Sequence, residues 1–197
     1  MGNSKAAQTE ATRRKLERVG RELFAKRGFA QVSSEELVAR AGVTRGALYH
    51  HYDGKEGLFE VVVEAVMRDL HSSLVKDASR FADPLGALEH SIDTFLKLCA
   101  EPATQRILLV DGPTVLGWSR WREMDAKYGL GLLKRGLSAA MNAGQLRRQD
   151  VDMLAHLLLG ALTEAAMVVA RSPKPTAARQ AAVQALRSML DSQKPQG

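Results

Sequence analysis

Residues 33–55, SSEELVARAGVTRGALYHHYDGK, constrain the fold more tightly than any other stretch of the chain. They spell two short helices joined by a tight turn and followed at once by the start of a third. Ser33 and Glu36 form an S-x-x-E capping box, in which each side chain satisfies a backbone N–H that a first helical turn leaves without a partner. Leu37, Val38 and Ala41 give this helix an apolar side. Gly42 stops it, because glycine accepts a left-handed backbone at low cost. Thr44 is placed to N-cap a second helix from Arg45 to about His51. Leu48 turns inward there, while Arg45, Ala47, Tyr49 and His50 face out. Two helices set steeply about a short turn containing glycine make a helix-turn-helix, whose second helix fits the major groove of DNA.

The rest of the chain favours a helical period of 3.6 over the strand period of 2, so the expected class is all-α. Residues 1–8 read as irregular. An amphipathic helix follows from about Thr9 to Arg27, with Leu16, Val19, Leu23 and Phe24 on one face and a basic opposite face. Gly20 weakens it by about 1 kcal/mol relative to Ala unless close packing against a neighbouring helix compensates. Asp53 and Glu56 form a second capping pattern, opening a helix from Gly54 to about Phe81. Further helices start at Pro84 and Pro102, break at Asp111-Gly112-Pro113, and resume over Trp118–Asn142, Asp150–Arg171 and Thr176–Ser192. The expected division is a DNA-binding head over residues 1–53 and a helical body over 54–197, with 54–81 as the linking helix.

Charge singles out the head. Residues 1–55 hold eleven Lys or Arg and six Asp or Glu, a net of +5, whereas the remaining 142 residues net only +1. Such a bias is expected of a segment that meets phosphate. The single cysteine, Cys99, rules out an internal disulfide and a cysteine-based zinc site. The adjacent His50 and His51 point about 100° apart on a helix and do not readily share one metal ion. No metal or cofactor is expected. The N-terminal residues lack the apolar run of a signal peptide, and Ala6 breaks a myristoylation motif. The apolar stretch Leu154–Ala170 contains His156 and Glu164 and reads as a buried helix rather than a membrane span. A cytoplasmic protein without membrane contact is expected.

The run Ala41-Gly42-Val43-Thr44-Arg45-Gly46-Ala47-Leu48-Tyr49-His50-His51-Tyr52, with Lys55, Leu58-Phe59 and the earlier Phe24, Gly28 and Phe29, resembles the signature of the TetR (tetracycline-repressor-like) regulators. The resemblance covers roughly residues 9–60. Tyr52 stands where Phe is usual, and Val32 and Val38 where Thr and Ala are commoner. Within this frame Arg45 is suited to guanine O6 and N7. Gly46 and Ala47 are small enough to let the helix approach the groove floor, and Ser34 is placed to hold a phosphate. The resemblance implies that Thr44, Tyr49, His50 and Lys55 also contact phosphates. Leu37, Val43, Leu48 and Tyr52 read as core.

The body shows no nucleophile–base pair and no phosphate loop, so no catalytic residue is assigned. Asp111 is expected to cap the segment starting at Pro113. Trp118, Trp121, Asp125 and Tyr128 share one helical face, a pattern that serves core or ligand alike. The resemblance implies a small-molecule pocket in the body, with Phe95, Cys99, Leu116, Trp118, Trp121, Asp125 and Tyr128 as lining and a mainly apolar or aromatic effector. It also favours a homodimer built from the last two helices through Leu158, Ala161, Leu162, Ala165, Val169, Val183, Leu186 and Leu190. The first expectation is therefore an effector-released repressor of palindromic operator DNA. An architectural DNA-binding protein without effector, or an enzyme with a DNA-binding head, are the alternatives.

Overall fold

A computed structural model of the chain describes residues 2–195. Every regular element among the described residues is helical: α1 (Gly2–Arg27), α2 (Ser34–Ala41), α3 (Arg45–Tyr52), α4 (Lys55–Ala78), α5 (Pro84–Cys99), α6 (Pro102–Thr104), α7 (Gly112–Leu116), α8 (Trp118–Asn142), α9 (Val151–Arg171) and α10 (Pro175–Asp191). A 3-10 turn, Phe29–Gln31, joins α1 to α2, and a π-helical stretch, Gln105–Asp111, joins α6 to α7. The all-α expectation holds, with a helix-turn-helix head and a larger helical body. The expectation of irregular residues 1–8 does not hold from Gly2 onward, where α1 begins; Met1 lies outside the described residues.

The backbone forms two compact units. One contains the chain up to Val66 together with Pro102–Trp121; the other contains Met67–Glu101 and the chain from Arg122 onward. Helices α4 and α8 each run unbroken across a unit boundary.

In the first unit, Leu16, Val19, Leu23 and Phe24 of α1 are buried with Leu37, Leu48, Leu58, Phe59, Val62 and Val63. Phe24, Phe29 and Phe59 form an aromatic cluster, with the Phe24 and Phe59 rings edge to face at 5.1 Å. Gly20 is explained by this packing, since a β-carbon there would lie 3.2 Å from Leu58. The tightest passage is between the end of α3 and the start of α4. A β-carbon on Gly57 would sit 1.7 Å from the Tyr52 carbonyl oxygen, so only glycine lets the two helices pass.

In the second unit, α5 presents Leu85, Leu88, Ile92, Leu96 and Cys99 to a core shared with α9 and α10. The ion pair Arg179–Asp93 ties α10 to α5. His71 Nδ1 lies 2.8 Å from the Tyr128 carbonyl, joining the later half of α4 to α8. Helix α9 has 21 residues and is, by length and composition alone, apolar enough to cross a bilayer. Ala155, Leu158, Leu159, Leu162, Ala166 and Val169 are nonetheless buried against its own unit, as in a core helix.

Gly57→Ala is expected to cost the head about 3 kcal/mol or more, because the clash is with backbone that cannot rotate away. Thermal unfolding followed by circular dichroism checks this, and an unchanged transition would contradict the close approach described.

Candidate nucleic-acid interface

Local chemistry sets the two motif helices as the sequence suggests. Ser33 adopts an extended backbone and its Oγ accepts the Glu36 N–H at 3.1 Å. Gly42 closes α2 with φ 64°, in the left-handed region. Thr44 Oγ1 accepts the Ala47 N–H at 3.2 Å and opens α3. Two capping expectations need correction. Glu36 does not complete the box but binds Arg27 at 2.6 and 2.7 Å, tying α2 to the end of α1. Asp53 is not the N-cap of α4; it ends α3 at φ 57°, its N–H donating to the Tyr49 carbonyl.

The face of α3 away from the core is formed by Thr44, Arg45, Gly46, Tyr49 and His50, all exposed, with Ala47 half-buried beside them. Leu48 and Tyr52 are buried on the opposite face. The Tyr52 hydroxyl, absent from a phenylalanine, donates to Glu17 at 2.8 Å and lies 3.2 Å from the Arg13 carbonyl oxygen, so α3 is pinned to α1. Burial and the Glu17 carboxylate both push that phenol above its ordinary range. Ser34 is half-buried at the first position of α2.

Lys55 has a role that the sequence did not reveal. Its Nζ donates to the carbonyls of Phe29 at 3.2 Å and Val32 at 2.9 Å, and lies 4.0 Å from the Phe29 ring centre. Two of the three donors of its ammonium are thus taken by backbone carbonyls. Asp111 is likewise redirected. It makes no cap bond to α7, and instead its Oδ2 accepts the Phe29 N–H at 2.8 Å. The signal for both contacts lies in backbone atoms distant in sequence, which no side-chain spacing reports.

The seven residues expected to meet a ligand fall in separate units. In the first, Trp118 and Trp121 stack with ring centres 5.3 Å apart, and Leu116 is half-buried. Trp121 is 2% exposed, and its Nε1 donates to the Leu108 carbonyl at 2.8 Å; Trp118 is 57% exposed. In the second, Cys99 is buried, and Phe95 and Tyr128 are half-buried. Asp125 there pairs through Oδ2 with Arg122 and accepts a 3.1 Å hydrogen bond from Thr163. Burial raises the Asp125 carboxyl above its ordinary value, against the lowering pull of Arg122 and Thr163. Burial, helped by Asp125, also raises the Cys99 thiol. No group of three or more His, Cys, Asp or Glu among the described residues is arranged to hold a metal ion.

Of the eight residues expected at a dimer interface, Leu158, Leu162, Val169, Val183, Leu186 and Leu190 are buried within their own unit, and Ala161 and Ala165 are half-buried. The apolar side chains left open on the same helices are Met153, Leu157 and Val168 of α9 and Met189 of α10. The α9 residues recur at helical spacing along one stripe that passes over Gly160, where added atoms would meet open space.

A family model described as bacterial regulatory proteins, tetR family, matches residues 18–62, and one described as tetracyclin repressor-like, C-terminal domain, matches residues 85–193. A TetR-family transcriptional regulator from Pectobacterium atrosepticum superposes with a TM-score of 0.85 at 30% identity, over 96% of this chain and 97% of its own. The transposon Tn10 TetC protein of Escherichia coli is 26% identical over 160 residues, 80% of each chain. RolR, solved in complex with resorcinol, shares the fold with a TM-score of 0.73 at 18% identity, over 97% of this chain and 98% of its own.

Lys55→Met is expected to destabilise the head by about 1.5–3 kcal/mol, the range for losing charge-assisted hydrogen bonds to buried acceptors. Chemical denaturation of the wild type and variant measures the difference. Equal stability would leave Lys55 with no structural role.

Proposed function

Since the chain belongs to the TetR family of transcriptional regulators, we propose that it is a repressor that binds palindromic operator DNA as a homodimer and is released by a small, mainly apolar or aromatic effector. The observation that carries this reading is the exposed face of α3. It gathers a guanine-reading arginine, two small residues and three polar side chains on one helix that Leu48 and Tyr52 anchor to the head. In this reading Arg45 and Ala47 read base edges and Gly46 permits the approach. Ser34, Thr44, Tyr49, His50 and the remaining donor of Lys55 hold phosphates. The Thr44 hydroxyl accepts from Ala47, which leaves its hydrogen free for a phosphate oxygen.

Dimerisation is assigned to the open stripe of α9 and the neighbouring face of α10. Met153, Leu157 and Val168 are more than half exposed, and an apolar stripe of this kind gains from being covered by a second copy. Ala161 and Ala165 lie at its edge, while the buried leucines support it from behind. Such a dimer presents two copies of α3 to half-sites about 34–36 Å apart.

The effector is assigned to the stacked pair Trp118–Trp121, which supplies an aromatic surface within the first unit. Leu116 of the same unit is a further candidate. Coupling is proposed to run through α4 and through the π-helical stretch. Trp121 holds the Leu108 carbonyl, and Asp111, three residues on, holds the Phe29 N–H of the head. By reciprocity, effector and DNA weaken each other by the same factor, typically about 1–3 kcal/mol. The aromatic molecule in the RolR complex is compatible with this effector class, though that protein shares only the fold.

Three measurements test the reading. Arg45→Ala is expected to lower affinity for an operator selected from random duplexes by about 1–3 kcal/mol and to relax one base position. Equal losses on operator and random DNA would reject its role. Leu157→Arg is expected to shift sedimentation from dimer to monomer at micromolar concentration; a wild type that is monomeric alone and on DNA rejects the dimer. A compound that releases operator is expected to change tryptophan emission over the same concentration range, and Trp118→Ala to blunt the response while sparing ligand-free DNA binding. Full release without any emission change places the effector elsewhere.

A further inference from the structure

Arg45 is not free in the head. It occupies the first position of α3, where the helix dipole disfavours a cation, and it is held from two sides. Its Nη1 lies 2.9 Å from Oε1 of Glu35, on the second position of α2, and its Cζ sits 5.5 Å from the centre of the Tyr49 ring. The Glu35 carboxyl is itself held below its ordinary value, first by its own backbone N–H and further by Arg45 and Ser33. It is therefore a carboxylate at neutral pH. With side chains 62% and 66% exposed, Arg45 and Glu35 sit in water, so the pair adds little to folding. An acid on the face that is to meet a polyanion is also a charge of the wrong sign for binding.

These observations make sense together if the pair serves discrimination. The guanidinium has five N–H donors in a fixed fork, and Glu35 engages Nη1 alone. With Glu35 and the Tyr49 side chain each engaging the guanidinium, donors still remain of the five to meet guanine O6 and N7. A guanidinium so held is directed at a base edge and kept from swinging to the nearest phosphate. The carboxylate also repels every phosphate backbone alike, a cost that falls equally on matched and random DNA, so discrimination rests on how the pair orients Arg45. We infer that Glu35 is a positioning residue that sets the operator specificity of this protein, by orienting Arg45. The inference rests on the assignment of Arg45 to base reading. It adds a residue that touches no DNA itself and whose removal strengthens, rather than weakens, binding to the wrong sequence.

The test uses the full-length protein, with operator DNA selected from a random duplex library and an unrelated duplex of equal length. Affinities are measured across a salt series for the wild type, Glu35→Gln, Arg45→Ala and the double variant. Glu35→Gln is nearly isosteric at an exposed site, and its helicity is checked by circular dichroism. It is expected to tighten binding to the unrelated duplex and to lower the specificity ratio roughly two- to fivefold, the span of coupling that an exposed ion pair carries. In the Arg45→Ala background the same change is expected to leave the ratio unmoved, because it then alters only the overall repulsion. A wild-type ratio in Glu35→Gln, or an equal fall with and without Arg45, overturns the inference. If Arg45→Ala by itself keeps the full ratio, the base-reading assignment fails first and the role of Glu35 falls with it. A normal loss in Arg45→Ala beside an inert Glu35→Gln defeats only the role of Glu35.

Discussion

The head is organised around one short turn whose backbone cannot be left unpaired. Between α1 and α2 the chain leaves regular helical bonding at Phe29–Gln31, and part-buried backbone groups there take partners from elsewhere. Lys55 at the start of α4 takes the carbonyls of Phe29 and Val32, and Asp111 takes the Phe29 N–H from the other side. The Phe29 ring, gripped by Phe24 and Phe59, keeps the turn in place. Three segments far apart in sequence thus meet at one residue. The placement of α2, and through it α3, follows from that junction. Gly28 belongs to the same device: with φ 82° it faces Arg106 and Asp111 so closely that a β-carbon would stand 3.1 Å from the Arg106 guanidinium.

What the sequence reveals and conceals follows the range of each interaction. Ser33, Gly42 and Thr44 act on atoms within five residues, and their roles are legible from spacing. Lys55 and Asp111 act on backbone atoms 23 or more residues away, and backbone carries no residue-specific signal. Asp53 misled because a D-x-x-E pattern marks a helix start, whereas the adjacent Gly54, at φ 105°, lets Asp53 close the preceding helix instead. On α9 and α10 periodicity identified apolar faces but could not separate two of them. Leu158 and Leu162 lie toward their own unit while Leu157 lies open one residue away, a difference of about 100° around the helix.

The second unit contains one conspicuous polar group in an otherwise apolar interior. Asp125 is compensated by Arg122 and Thr163 through a single carboxylate oxygen, while burial pushes its carboxyl above the ordinary value. A largely desolvated ion pair of this kind seldom adds net stability compared with an apolar replacement of equal volume. Its presence between α8 and α9 instead fixes how those helices register, since only one rotation about each axis brings the three side chains together. Gly129 tightens the same contact, because a β-carbon there would lie 2.7 Å from Leu159.

The π-helical stretch Gln105–Asp111 accommodates one more residue in a turn than an α-helix does. Its phase is therefore counted in single residues. Removing any one of the seven would allow ordinary α-helical bonding and turn the end of the segment by about 100°. Asp111 would then swing away from Phe29. The length of the segment is therefore as constrained as its buried face. Within it, chain length rather than residue identity transmits alignment to the head.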